Sequence, residues 1–298
     1  MGPDPSAGTG AAAPVEGAGV LLDTHHHLDF LPPSARGVFL AGTRERGVRV
    51  VAQTLIPSGH RELAAEAGEW PEPHALLSVG FHPWFIGEDD HADAELAVLE
   101  RAVRSTRFVG EIGLDLSPRR AEAVPRDRQV RVLAAVLDAV HRAAADTPEP
   151  YVLSVHAVRS ADVVLDLLEG HGDGGERVVP VLHRFGGTSD DLTRLVRMGG
   201  CVSVHPAMLG TKKGRAYVRQ VPADRLLLET DLPTAPRRLG RAPDGPTELG
   251  ASAAAEVAAT LRSTVDTLCA LRREDVTADI ARTQRRLYGI EGDTAGQA

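Results

Sequence analysis

The chain has two cysteines, Cys201 and Cys269, and two lysines, Lys212 and Lys213, among 298 residues. Two cysteines do not make a disulfide framework, so a reducing compartment is the simpler assumption. Lysine scarcity beside abundant arginine reflects coding bias rather than arginine chemistry. There is no excess of positive charge. A formal net charge of −8 argues against indiscriminate binding to nucleic acid or anionic membranes, although a local basic patch remains compatible with it. No run of 18 apolar residues occurs, so no membrane-spanning helix is expected. Residues 1–18 are rich in Gly, Ala and Pro and lack both a basic start and a sustained apolar core. They do not resemble a secretory signal, and a flexible tail is expected there and again at 291–298. The localisation expected from these absences is cytoplasmic. No Gly-x-Ser-x-Gly turn or other activated nucleophile stands out. No linker, composition shift or close repeat divides residues 19–290.

What is present is a globular composition, 43% hydrophobic and 25% charged. Eight short apolar runs alternate with helical patterns. The runs lie near 19–22, 47–55, 75–81, 107–116, 151–155, 178–182, 200–204 and 226–228. They are continuous rather than alternating, as for parallel strands covered on both faces. Helical periodicity is read at 60–67, 89–103, 129–145, 161–168 and 189–197, then near 250–269 and 273–287. Leu31-Pro32-Pro33 reads as a turn, and Trp70-Pro71-Glu72-Pro73 as a loop. This pattern predicts an α/β fold, a single-domain (β/α)8 TIM barrel. A doubly wound sheet is the alternative, but it usually needs fewer strands.

The polar residues fall at the strand ends. Asp23-Thr24-His25-His26-His27-Leu28-Asp29 closes the first strand. Residues i and i+2 share a face, so His25 and His27 project together and can hold one divalent cation, while His26 points away towards packing. Taken alone, the triplet could equally be a histidine-rich strand end or part of a tag. His82, Glu111, His156, His183, His205 and Asp231 close other strands. In a barrel such positions converge on the C-terminal face, where catalytic groups gather. A lone strand-end histidine is more often a hydrogen-bonded loop residue. That reading weakens when nearly every strand ends this way. Imidazoles with carboxylates suit Zn²⁺, Mn²⁺ or Fe²⁺, and a more carboxylate-rich set Mg²⁺. Four imidazoles and two carboxylates suffice for two ions if one carboxylate bridges.

These motifs, with Gly80-Phe81-His82-Pro83, Gly110-Glu111-Ile112-Gly113-Leu114-Asp115, Val155-His156, His183-Arg184-Phe185-Gly186-Gly187 and Leu228-Glu229-Thr230-Asp231-Leu232-Pro233, occur in this order from Asp23 to about Tyr288. In that order the sequence resembles the TatD family of metal-dependent deoxyribonucleases, within the wider amidohydrolase-like group of barrel hydrolases. The resemblance implies two divalent ions, Zn, Mn or Mg. His25, His27 and Asp231 would hold the first and His156 and His183 the second, with Glu111 bridging. Asp231 would also orient the attacking water or take its proton, which makes Asp231 and Glu111 the catalytic pair. His82 would face substrate, and His205 could do likewise from its strand end. The implied reaction is hydrolysis of a phosphodiester in DNA or a short oligonucleotide by a metal-activated water. A metallohydrolase of small esters, lactones or amides is the alternative. A metal-containing binding or assembly protein with little turnover is the alternative from another class.

The chain departs from the family pattern in three places. Arg184 stands where a small residue such as cysteine is frequent, and strand alternation predicts that it faces the outer helix layer. Val158 occupies the place of a frequent arginine, with Arg159 next. Thr283 stands where the final helix often has asparagine. These changes bear on substrate choice more than on metal binding. Finally, Thr211-Lys212-Lys213-Gly214-Arg215 and Pro236-Arg237-Arg238-Leu239-Gly240-Arg241 follow the last two strands, at the usual phosphate-binding corner of such barrels. Lys212, Lys213 and Arg215 are therefore candidate phosphate contacts. A solvated loop followed by a helix start is the competing reading. Trp84 and Tyr217 could stack on a base, although packing explains each. A monomer is compatible with everything above, and the sequence leaves the oligomeric state open.

Overall fold

The computed structural model describes residues 19–68, 75–172, 177–237 and 245–290. The loop read at Trp70–Pro73, the basic residues Arg238 and Arg241, and the two expected tails lie outside them. Eight parallel strands close into one barrel, each hydrogen-bonded to the next and the eighth to the first. They are β1 (Leu21–His26), β2 (Val48–Gln53), β3 (Ala75–Phe81), β4 (Phe108–Asp115), β5 (Tyr151–Val158), β6 (Val178–His183), β7 (Cys201–Val204) and β8 (Leu226–Leu228). The surrounding helices are α1 (Pro33–Glu45), α2 (Pro57–Ala67), α3 (Asp89–Ala102), α4 (Pro118–Ala123), α5 (Arg126–Ala144), α6 (Ala161–His171), α7 (Ser189–Arg197), α8 (Pro206–Gly210), α9 (Lys212–Gln220), α10 (Gly245–Arg272) and α11 (Thr277–Tyr288). Among the described residues no helix is long and apolar enough to cross a membrane.

The apolar runs form the strands because both of their faces are buried. One large cluster fills the space between barrel and helices, with Phe39, Val50, Leu99, Leu137, Leu153, Leu165 and Leu261 among its members. A smaller one, which contains Leu22, Val51, Val152, Val181 and Leu227, packs against Leu287, Tyr288 and Ile290 at and beyond the end of α11. The apolar floor lies at the strand starts, which leaves the strand ends for polar groups.

Helix α1 is absent from the sequence reading, which stopped at the turn before it. Pro33 occupies its first turn, where a missing N–H is harmless. Its glycines weaken the helical signal, yet one has a packing reason. A Cβ on Gly42 would lie 2.9 Å from the Ala254 Cβ, and on the facing helix a Cβ on Gly250 would lie 2.7 Å from the Ala35 carbonyl oxygen. The two helices approach closely because side chains are missing at both points. The segment 211–215 opens helix α9, with the Thr211 hydroxyl accepting from Gly214 N at 2.9 Å. Strand β5 runs two residues beyond His156, so this imidazole lies inside the strand rather than at its end.

Candidate metal centre

The centre is assembled on β1, β4, β5 and β6 and on the turn that follows β8. In β1, Leu22 joins the barrel-floor cluster and His26 stacks on Phe39 of α1, with ring centroids 4.7 Å apart. Unbroken alternation from Leu22 would put both on one side. The pairing with β2 shifts register between Asp23 and His26, and the shift reverses the faces. His25 and His27 thereby turn inward. Burial lowers the pKa of His26 to about 3, so it is a neutral packing group, as its position in the triplet predicted.

Asp231 is brought to this pair by main-chain pairing of distant segments. Asp231 N donates to the His25 carbonyl at 3.0 Å and His27 N to the Leu232 carbonyl at 2.8 Å. The Asp231 backbone lies in the left-handed region, φ 56°, uncommon for a residue with a side chain. Its Oδ1 then sits 3.3 Å from His27 Nε2 and 3.9 Å from His25 Nε2.

Glu111 is buried at the middle of the cluster. Its Oε2 is 3.4 Å from His25 Nε2 and 3.7 Å from His27 Nε2. Its Oε1 is 2.7 Å from His156 Nδ1, 3.0 Å from His183 Nε2 and 3.4 Å from His82 Nε2. Glycine permits this crowding. Gly113, φ 138°, would place a Cβ 2.0 Å from the His156 carbonyl oxygen. Burial would raise the Glu111 pKa, but His82, His25, His183 and the His156 hydrogen bond hold it well below the usual range. Burial likewise opposes charge on His183, yet Glu111 and Glu229 raise its pKa well above the ordinary value. Asp231 is held below the usual carboxylate range because His27, His25 and His183 outweigh its burial.

These donors fit a cation. Two ligands at about 2.1 Å from a tetrahedral ion stand about 3.4 Å apart, and the distances from His25 and His27 to Glu111 and Asp231 scatter around that value. His25 Nε2 is buried with no hydrogen-bond partner, a cost that an ion would remove. Among the described residues three donor sets lie within 4.8 Å: His25–His27–Asp231, His25–Glu111–His183 and His82–Glu111–His156. The first is the expected triad. The other two share Glu111, the expected bridge, and they bring His82 into the cluster.

Outer contacts aim the ligands. His25 Nδ1 meets Ser154 Oγ at 2.8 Å, which leaves Nε2 for an ion. His183 Nδ1 lies 3.7 Å from Glu229 Oε1, and the other Glu229 oxygen accepts from Ser203 Oγ. His156 Nε2 lies 3.6 Å from Asp115 Oδ2, which accepts from Trp84 Nε1 at 2.7 Å. Glu229, Asp115 and Ser154 were not singled out from the sequence. The first two lie inside quoted motifs, and Ser154 sits two residues before His156 on β5.

The two His-Pro pairs behave alike. His82 Nδ1 accepts from Trp84 N at 3.1 Å, and His205 Nδ1 accepts from Ala207 N at 3.0 Å. Each neutral ring therefore carries its proton on Nε2 and offers a donor rather than a metal lone pair. Burial lowers the His82 pKa to about 4, against the pull of Glu111, so the neutral form persists.

The basic candidates lie farther out. Lys213 Nζ donates to the Gly186 carbonyl at 3.0 Å and lies over the Tyr217 ring. Arg215 donates to the Leu209 carbonyl at 3.1 Å, and Lys212 is exposed in the first turn of α9. Lys213 and Arg215 are thus engaged with loop carbonyls rather than with the histidine–carboxylate cluster. Tyr217 is buried and donates to the Gly187 carbonyl, so it is a packing residue. Trp84 is 44% exposed beside His82, with the Arg120 guanidinium 3.6 Å from its ring centroid. Arg184 differs from expectation. Its backbone enters the left-handed region, φ 47°, where β6 ends, so strand alternation no longer applies. Its Nη1 reaches to 3.5 Å from Asp231 Oδ2, on the site side rather than the helix layer.

A closed parallel barrel whose strand ends gather imidazoles around a shared buried carboxylate defines a metal-dependent barrel hydrolase. The chain belongs to the TatD related DNase family, whose sequence pattern matches residues 22–289. It is 28% identical over 228 residues to a Homo sapiens protein named deoxyribonuclease TATDN3, covering 72% of this chain and 79% of that one. It is 27% identical over 201 residues to a Yersinia pseudotuberculosis protein named 3'-5' ssDNA/RNA exonuclease TatD, covering 66% and 68%. The crystal structure of the TatD homologue YJJV from Escherichia coli superposes with a TM-score of 0.69 at 23% identity, covering 91% of this chain and 98% of that one.

Proposed function

We propose that the protein hydrolyses phosphodiester bonds in DNA, at ends or in short single-stranded segments, with two divalent ions. The observation that supports this most is Glu111, a single buried carboxylate whose two oxygens face different imidazole groups. On this reading His25, His27 and Asp231 would hold one ion and His156 and His183 the other, with Glu111 available to both. The bound ions would supply Lewis-acid stabilisation of phosphate charge and a water acidic enough to react near neutral pH. Asp231 has one oxygen towards His25 and His27 and the other towards Arg184 and the mouth, so it can orient a water and take its proton. His82 presents Nε2–H and can donate to a phosphate or leaving oxygen. The names of the relatives support nucleic acid as substrate. The outward placement of Lys212 and Arg215 favours a short or terminal substrate over a long groove.

The test pairs elemental analysis with cleavage assays on single-stranded DNA, duplex DNA, RNA, small esters and lactones under added Mg²⁺, Mn²⁺ or Zn²⁺. Metal-dependent cleavage of single-stranded DNA ends supports the reading. Turnover of esters or lactones with no phosphodiester cleavage would replace it, and two bound ions with no turnover of any substrate would favour a binding role.

A further inference from the structure

We propose that Arg184 is a catalytic residue that grips a non-bridging oxygen of the scissile phosphate. The proposal rests on the phosphodiesterase reading above and adds a residue to it. Arg184 Nη1 lies 3.5 Å from Asp231 Oδ2, while Asp231 Oδ1 faces His25 and His27. The guanidinium is therefore one carboxylate away from the reacting centre. At 3.5 Å the contact is at the limit of a hydrogen bond, and the side chain is 52% exposed. Half of the side chain is open to solvent, and the guanidinium's planar fork of N–H donors matches phosphate geometry.

The arm has a rigid base. Arg184 N donates to the Ser203 carbonyl at 3.3 Å. The next residue, Phe185, is buried and lies edge-on to Tyr217. Lys213 Nζ and Tyr217 OH then donate to the carbonyls of Gly186 and Gly187 at 3.0 and 2.6 Å. Lys213, a candidate phosphate contact from sequence, thus holds the loop that presents the arginine. A donor held in place before phosphate arrives needs little reorganisation as charge develops. In the reaction the water oxygen bonds to phosphorus and gives one proton to Asp231, the bond to the leaving oxygen breaks, and that oxygen takes a proton from His82 Nε2–H or solvent. Arg184 forms no covalent bond and transfers no proton.

The experiment compares wild type, Arg184→Ala and Arg184→Lys on dithymidine monophosphate, which has one phosphate, and measures inorganic phosphate binding by calorimetry with metal content checked. Expected are a loss of about 100-fold in kcat for Arg184→Ala, phosphate affinity about tenfold weaker, partial recovery with added guanidinium, and unchanged bound metal. Arg184→Lys should fall between. Unchanged phosphate affinity and turnover in Arg184→Ala would overturn the proposal, as would an effect traced wholly to lost metal. A wild type that cleaves no phosphodiester, yet loses phosphate affinity in Arg184→Ala, would refute the activity and keep the anion contact.

Discussion

Replacing Glu111 by Gln tests the centre most directly, because the change keeps size and shape and removes one buried charge. Both carboxylate oxygens are committed, Oε2 to His25 and His27 and Oε1 to His156, His183 and His82. A divalent ion and a unit negative charge about 4 Å apart interact by about 8 kcal/mol at an effective dielectric near 20. The glutamine carbonyl can still ligate one ion and recovers about half of this, so a net loss of about 3–4 kcal/mol is expected, or roughly 100- to 1,000-fold in metal affinity. Equilibrium dialysis with elemental analysis would read this as loss of at least one equivalent. Turnover should disappear at metal concentrations that saturate the wild type. A second readout needs no metal. Glu111 helps raise the pKa values of His156 and His183 against their burial, so in the metal-free variant both should titrate at lower pH by NMR. Far-UV circular dichroism should stay native. Two equivalents bound as tightly as in wild type, with full turnover, would refute the shared-carboxylate centre.

Ser154→Ala removes the partner of His25 Nδ1 and frees the ring to present the wrong tautomer, so metal affinity should fall about 10- to 100-fold with little change in thermal stability, read by competition with a chelator. His26→Leu addresses acid stability. Burial depresses the folded pKa of His26 to about 3, below the unfolded value of about 6.5. Above about pH 6.5 both states are neutral at this group and it contributes no pH dependence. As pH falls from there towards about 3 the unfolded chain takes up a proton that the folded one refuses, and stability is lost at up to about 1.4 kcal/mol per pH unit. The leucine variant should show a shallower decline over that window in denaturant titrations at successive pH values, and an unaltered slope would rule out this origin.

Much of the barrel was legible because eight buried runs and their polar ends recur in one dimension. Strand-end position nominated eight residues, and the family resemblance singled out His25, His27, Glu111, His156, His183 and Asp231 among them; the side chains of these six lie together in space. What escaped notice depended on contacts between distant segments. Helix α1 went unread behind the turn at Leu31-Pro32-Pro33, and Gly42 within it lets α10 approach. The outer partners Ser154, Asp115 and Glu229 carry ordinary side chains whose meaning appears only beside an imidazole. Arg184 shows the limit of periodicity: alternation sent it outward, and one left-handed residue at the strand end sent it to Asp231.

The sequence by itself determined the class of fold and which imidazoles and carboxylates stand near the strand ends, because burial of parallel strands and the placement of polar side chains are written residue by residue. Only the tertiary structure decided which groups those side chains face, which nitrogen His25, His82 and His205 leave free and that Arg184 turns towards Asp231. The register shift in β1, the hydrogen bonds from main-chain amides to His82 and His205, and the backbone turn at Arg184 are set by neighbours far away along the chain.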